Sequence, residues 1–232
     1  MDEKGIFRRA GLESRMQALR EALTEVPGKT DFTPYKMHDV SSVMKRFLRE
    51  LPEPLFTFPL HDLFLISQKF PEPEVQTEVI HLVLLLLPRC NRDLVEVIVL
   101  FLRKLADKAV GQEEQEGNLM TSRNLATVFA PTVLYSEKER DKQKEAVSHG
   151  HARKNSAGSI ASIASIASIS SLAHRKESSH NLAKILTENE ELNDRSVSVL
   201  ATLIDNASKF SQVPSLILTQ LSKPVQFAGT SK

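Results

Sequence analysis

Basic side chains in two short segments are the residues whose type and spacing could do chemistry. In Gly5–Arg9 (GIFRR), two apolar residues precede the pair Arg8 and Arg9. Further along, Lys45 and Arg49 are four residues apart, which places them one turn apart on one face of a helix. An arginine guanidinium is planar and always charged, so it can donate charge-assisted hydrogen bonds to phosphate oxygens. Taken alone, each of these side chains would be interpreted as a solvated surface charge.

A polar residue in an otherwise apolar segment is the third candidate. Asn124 opens the segment Asn124–Pro131 (NLATVFAP). Taken alone, an asparagine in this position is a local capping or turn residue. The residues by themselves therefore indicate a helical domain with an exposed basic face, and they do not identify a partner.

Motifs of a self-contained enzyme are not found in the sequence. It has no Gly-x-Gly-x-x-Gly, no Gly-x-x-x-x-Gly-Lys-Ser/Thr and no Gly-x-Ser-x-Gly. His149 and His151 stand close together but without a cysteine or an acidic cluster, so we expect no metal site. The single cysteine, Cys90, excludes an internal disulfide and fits a reducing compartment.

Composition and charge bound the class of protein. The chain has 232 residues, of which 41% are hydrophobic, and its formal net charge is +1, so the overall balance does not call for a nucleic acid or an anionic membrane. The start, MDEKGIFRR, is not a signal peptide. The apolar stretch Val79–Leu87 is far shorter than the roughly 20 residues of a membrane-spanning helix. We expect a cytoplasmic protein.

Helical periodicity recurs along the chain, and strand signals are nearly absent. Asp39 is expected to be the N-cap of a helix that ends at Leu51, with Phe47 on its apolar face. Thr121 is expected to cap a later helix, which Pro131 should end. Several helices joined by short loops indicate an all-α bundle. The predicted helices cover about residues 12–26, 39–51, 60–70, 74–87, 91–105 and 121–128.

The chain changes character between residues 136 and 185. This segment is charged and rich in serine, and it contains the repeat SIASIASIASIS at 159–170. Isoleucines spaced by three residues drift around a helix by about 60° per repeat, which makes a poor core face. We interpret 136–185 as a disordered, low-complexity insertion rather than a docking helix. A helical stripe returns over 186–212 as the closing helix, and 213–232 forms a tail.

Together and in this order, the three segments resemble the signature blocks of the Rho GTPase-activating protein (RhoGAP) domain family. The blocks are GIFRR, KRFLRELPEPL and NLATVFAP, and the similarity runs over residues 5–135 and again near 186–210. The resemblance implies a RhoGAP-like helical bundle that stimulates GTP hydrolysis by a small GTPase in signal transduction.

The resemblance also implies roles for single residues. Arg8 corresponds to the catalytic arginine finger, which is inserted in trans. Lys45 and Arg49 correspond to residues that hold the finger loop and the GTPase surface in register. Asn124 corresponds to a residue that contacts the switch region of the partner.

The implied partner is a Rho-family GTPase of the Rho, Rac or Cdc42 type in its GTP-bound form. GTP and Mg²⁺ would belong to that partner, and the chain would need no cofactor of its own. No nucleic acid and no membrane insertion are expected, although the partner would recruit the protein to the membrane periphery.

Two departures from the family pattern carry expectations of their own. The family domain begins some tens of residues earlier, so the first helix is expected to be missing. The alternative function is therefore a catalytically weak GTPase-binding or adaptor module. In the insertion, basic residues precede Ser156 and Ser178, which makes phosphorylation of these serines a hypothesis.

Overall fold

The fold is known from a computed structural model, which describes residues 2–26, 28–111, 117–141, 176–210 and 212. In these ranges the regular elements are helices, so the predicted all-α class is confirmed. The helices of ten or more residues are α1 (Glu13–Glu25), α2 (Met37–Arg49), α3 (Phe58–Ser67), α4 (Pro73–Leu86), α5 (Arg89–Ala106), α6 (Ser122–Val133) and α7 (Lys176–Asp205).

The chain divides into two compact units. The first comprises residues 1–135 and 195–232, and the second comprises residues 136–194. Helices α1 to α6 and the last part of α7 belong to the first unit, which also contains the four residues predicted to form the site. No helix in the described ranges has an apolar stretch long enough to cross a membrane.

A single apolar core joins helices α2 to α6 and the last part of α7. Phe64 of α3, Ile80 of α4, Leu102 of α5, Phe129 of α6 and Leu203 of α7 are all completely buried. Burying this much aliphatic and aromatic surface is the main force that holds the helices together. The stripe predicted for the closing helix is buried as well: Val197, Leu200, Leu203, Ile204 and Ala207.

The predicted start of α2 is wrong by a few residues. The N-cap is Lys36, and Asp39 is the third residue of the helix. The Asp39 carboxylate is nevertheless a capping group, because it accepts a hydrogen bond of 2.9 Å from the Lys36 N–H. Aspartate satisfies free N–H groups in the first turn as well as at the N-cap, so its residue type does not fix the boundary.

The prediction that Phe47 belongs to the buried face of α2 is also wrong. Its side chain is 58% exposed, whereas Val43 and Leu48 are buried. Successive residues are about 100° apart around a helix, so Phe47 is turned well away from the core contact made by Leu48.

Helix α6 does not end at Pro131 as predicted. It continues to Val133, and the Leu134 N–H donates to the Ala130 oxygen at 2.9 Å across the proline. Proline removes the one bond to the Thr127 carbonyl, but nothing prevents the bonds of the residues that follow it. Burial of Val133 in the core favours the additional turn.

Several sequence-based expectations fall partly or wholly outside the described residues. Helix α7 begins at Lys176, earlier than the predicted boundary at residue 186, so Ser178 lies in this helix. Residues 142–175 and 213–232 are not described, and the histidine pair 149/151 and Ser156 are among them. Phosphorylation of the two serines stays a prediction.

Candidate functional site

The segment Gly5–Arg9 forms a tight turn that begins the candidate site; it is named the finger loop after the role that the resemblance implies for Arg8. The N–H groups of Arg8 and Arg9 both donate to the Gly5 oxygen, each at 3.0 Å. Gly5 and Phe7 both have a φ of +67°. Left-handed backbone is ordinary for glycine but costs free energy at phenylalanine, so the surroundings must hold Phe7 in place.

Apolar burial supplies the first part of that support. Ile6 and Phe7 are each 2% exposed. The Phe7 ring packs edge-on against Phe129 of α6, with centroids 4.8 Å apart, and against Phe101 of α5 at 6.0 Å. Arg8 follows directly and is exposed, so a fully anchored residue stands immediately before a free guanidinium.

Lys45 supplies the second part of the support for Phe7. Its Nζ donates a hydrogen bond to the main-chain oxygen of Phe7. Burial lowers the pKa of the Lys45 ammonium, and the nearby charge of Arg49 lowers it further. Arg49 itself is exposed and lies one helical turn after Lys45 on the same face of α2. The structure thus brings Arg8, Lys45 and Arg49 together at one end of the finger loop.

The chain after the finger loop is fixed to α2 by Asp39. This buried carboxylate accepts hydrogen bonds from the Leu12 N–H at 2.8 Å and from Arg15 Nε at 2.6 Å. The bond from Arg15 and those from the Leu12 and Lys36 N–H groups lower the pKa of Asp39 to about 2, against the effect of burial. Sequence reasoning identified Asp39 only as a helix cap and did not connect it with the loop.

The chain after the finger loop can approach α2 this closely only because residue 11 is a glycine. The Gly11 N–H donates to Ser42 Oγ at 3.1 Å. A Cβ atom at this position would lie 2.5 Å from the Asp39 Cα, closer than any non-bonded carbon atoms can approach. Gly11 is therefore part of the support for the loop, which its residue type alone did not reveal.

The chain before the finger loop is fixed by Asn118. Its main-chain oxygen accepts the Gly5 N–H at 2.9 Å. The Asn118 side chain is completely buried, donates to the Leu105 oxygen at 2.9 Å and accepts the Met120 N–H at 2.8 Å. This role of Asn118 is not visible in the sequence, because Asn118 stands outside the blocks that carry the resemblance.

Asn124 lies at the start of α6, beside the same segment. Thr121 is the N-cap, as predicted, and its Oγ1 accepts the Asn124 N–H at 3.2 Å. The Asn124 side chain is exposed, and its Nδ2 donates to the Leu119 oxygen at 3.0 Å. Asn124 is thus linked to the finger loop through Leu119 and Asn118 rather than by direct contact with Arg8.

Other features that could take part in chemistry or binding do not involve the predicted site residues. No group of metal-ligating side chains occurs in the part of the chain that the structure describes. Cys90 is exposed, and its thiol lies 3.3 Å from Asn91 Oδ1. A cavity of about 420 Å³ borders Leu84, Val95 and Leu203, and none of the predicted site residues lines it.

Comparison with known proteins identifies the family of the chain. The RhoGAP domain model matches residues 1–138, and the chain belongs to the RhoGAP domain family. The candidate site, formed by Gly5–Arg9, by Lys45 and Arg49 of α2 and by the start of α6, lies within the matched domain.

Curated relatives share this domain within much longer proteins. The chain is 37% identical over 158 residues to Rho GTPase-activating protein 6 of Mus musculus, covering 66% of this chain and 16% of the relative. It is 38% identical over 137 residues to Rho-type GTPase-activating protein 1 of Schizosaccharomyces pombe, covering 59% and 12%. The chain therefore spans a sixth or less of the length of these relatives.

Solved structures show the same fold. The BH domain from GRAF, the GTPase regulator associated with focal adhesion kinase, superposes with a TM-score of 0.62 at 24% identity, over 92% of this chain and 87% of that one. Human Rho GTPase activating protein 15 gives a TM-score of 0.61 at 22% identity, over 91% and 76%. At these identities the similarity establishes the helical fold only.

Proposed function

We propose that this chain is a GTPase-activating protein for a Rho-family small GTPase and that Arg8 is its arginine finger. GTP hydrolysis places negative charge on the oxygens around the γ-phosphate, and an arginine supplied in trans stabilises that charge. For Ras the gain from such activation is about 10⁵ in rate. The family membership and the names of the relatives support the activity.

The observation that carries the proposal is the contrast between Arg8 and the residue before it. Phe7 is held by burial, by two aromatic contacts and by Lys45, while the Arg8 side chain is exposed. Catalysis by a finger depends on positioning, because a group already held in place loses little entropy when it reaches the transition state. A fixed backbone under an exposed guanidinium meets that need.

The remaining predicted residues have supporting roles in this proposal. Lys45 fixes the carbonyl before the finger, and Arg49 presents its charge to the acidic or polar surface of the partner. Asn124, at the start of α6, contacts the partner beside them. GTP and Mg²⁺ would be held by the partner in its GTP-bound form, and the protein would act in the cytoplasm, with the partner recruiting it to the membrane periphery.

Single-turnover phosphate release from GTP-loaded GTPases of the Rho, Rac and Cdc42 types, with and without this protein, tests the proposal. We expect strong stimulation of at least one of them. Binding to the GTP-bound form without stimulation would instead support the alternative, a GTPase-binding module. If no GTPase were either bound or stimulated, both functions would be excluded.

A further inference from the structure

Leu119 has a backbone conformation that leucine rarely adopts. Its φ is +62°, and among the described residues only Phe7 and Thr57 share this property without being glycine. Those two are buried, whereas the Leu119 side chain is 60% exposed. A left-handed leucine costs free energy, and its largely exposed side chain gains little from packing, so stability does not explain why leucine rather than glycine or asparagine stands here.

Hydrogen bonds on both sides hold Leu119 in this conformation. Its N–H donates to the Ala109 oxygen at 3.1 Å, and its own oxygen accepts from Asn124 Nδ2 at 3.0 Å. The preceding N–H, of Asn118, donates to the Lys108 oxygen at 3.0 Å. The side chain of Asn124 is therefore engaged in fixing the Leu119 carbonyl, and the Leu119 side chain is displayed on a rigid backbone.

Leu119 also lies beside the finger loop. The residue before it, Asn118, accepts the Gly5 N–H at 2.9 Å, and Gly5 opens the turn that carries Arg8. A second exposed apolar residue is close to it in the chain fold: Leu119 bonds to Ala109, and Val110, which follows Ala109 directly, is 80% exposed. Two exposed apolar side chains thus lie at the rim of the basic site.

We propose that Leu119, with Val110 beside it, is an apolar contact for the partner GTPase and that Asn124 is a positioning residue that holds Leu119 in place. This inference rests on the proposed function and specifies the partner surface: apolar side chains next to the nucleotide site. The apolar pair adjoins the finger loop, so a GTPase that receives Arg8 covers Leu119 as well. Asn124 then acts on the partner through Leu119.

Leu119→Asn tests the contact. Asparagine adopts left-handed backbone more readily than leucine, so the fold should be kept while the apolar group is lost. We expect the KM for the GTP-bound GTPase to rise about tenfold, the equivalent of burying one leucine side chain, with the effect on KM rather than on kcat. Leu119→Met keeps an apolar side chain and should restore most of the affinity.

A matched control is Leu86→Asn, since Leu86 is 63% exposed and lies at the end of α4, a helix that contributes none of the candidate site residues. Its KM should equal that of the wild type. Thermal unfolding of every variant shows whether the fold is intact. A wild-type KM for Leu119→Asn, in a protein that stimulates the GTPase normally, would overturn the contact and leave the proposed function standing.

A double-mutant cycle tests the role of Asn124. If Asn124 acts through Leu119, Asn124→Ala should raise the KM, and adding it to Leu119→Asn should raise the KM little further. Fully additive effects would show that Asn124 acts independently and would overturn the positioning role. A wild-type protein that stimulates none of the three GTPase types would remove the proposed function and this inference together.

Discussion

The Lys45 ammonium donates a hydrogen bond to the main-chain oxygen of Phe7, the last backbone acceptor before Arg8. Lys45 thereby links the basic face of α2 to the finger loop. A partly buried ammonium that loses this partner would destabilise the loop, and a carbonyl that loses the ammonium would be left unpaired. The segment that carries Arg8 and the lysine that supports it thus come from two distant parts of the sequence.

Lys45→Met should weaken activation without abolishing binding. Methionine fills similar space but cannot donate, so the Phe7 oxygen is left unpaired at a cost of about 1–3 kcal/mol. We expect single-turnover stimulation to fall roughly tenfold to a hundredfold. Lys69→Met is the control, because Lys69 is exposed and lies just after the end of α3. This variant should behave as the wild type. Full stimulation by the Lys45→Met protein would remove the supporting role.

Asp39 should make the stability depend on pH in the acidic range. Its pKa is lowered from 3.8 to about 2 in the folded protein. Its contribution is therefore present above about pH 4 and is lost as the pH falls through about 2. Because Arg15 is partly exposed, we expect roughly 1–2 kcal/mol from this carboxylate at neutral pH.

Asp39→Asn measures that contribution. Urea unfolding of this variant and of the wild type should differ at pH 7, and the difference should shrink as the pH falls from 4 towards 2. Asp93→Asn is a suitable control, because the Asp93 side chain is 62% exposed and pairs only loosely with Arg89 at 3.7 Å. A difference for Asp39→Asn that stays constant across this pH range would contradict the assignment.

Two glycine substitutions separate steric crowding from backbone strain. A Cβ at Gly11 would lie 2.5 Å from Asp39 Cα, so Gly11→Ala must push the finger-loop segment away from α2. At Gly28 nothing lies within 4 Å of such an atom, but φ is +80°, so Gly28→Ala should cost only about 1–2 kcal/mol. Thermal unfolding should show a clearly larger loss for Gly11→Ala. Equal losses would mean that the contact with Asp39 is relaxed at no cost.

Much of the fold could be predicted from periodicity, because helices bury one stripe of side chains and leave a repeat in the sequence. The closing stripe of Val197, Leu200 and Leu203 is buried as expected. The repeat does not determine which residue at the edge of the stripe is covered. The prediction for Phe47, which is exposed, is wrong for that reason. Pro131 does not end α6 as predicted, because burial of the next turn in the core outweighs one lost hydrogen bond.

The candidate site could be predicted only as a set of side chains. The charge of Arg8 and the spacing of Lys45 and Arg49 are visible in the sequence, and the family resemblance joins them. The backbone contacts are not visible there: the link between Asn118 and Gly5 depends on tertiary proximity. The positive φ of Leu119 likewise has no signal, because leucine is not a residue type that indicates left-handed backbone.

The most direct test of the account is single-turnover GTP hydrolysis by the preferred GTPase with the Arg8→Ala protein, beside Arg9→Ala as the neighbouring control. Arg8→Ala should lose roughly 10³ to 10⁵ in rate while still binding the GTP-bound GTPase, and Arg9→Ala should keep most of the stimulation. If the Arg8→Ala protein stimulated hydrolysis as strongly as the wild type, Arg8 would not be the finger.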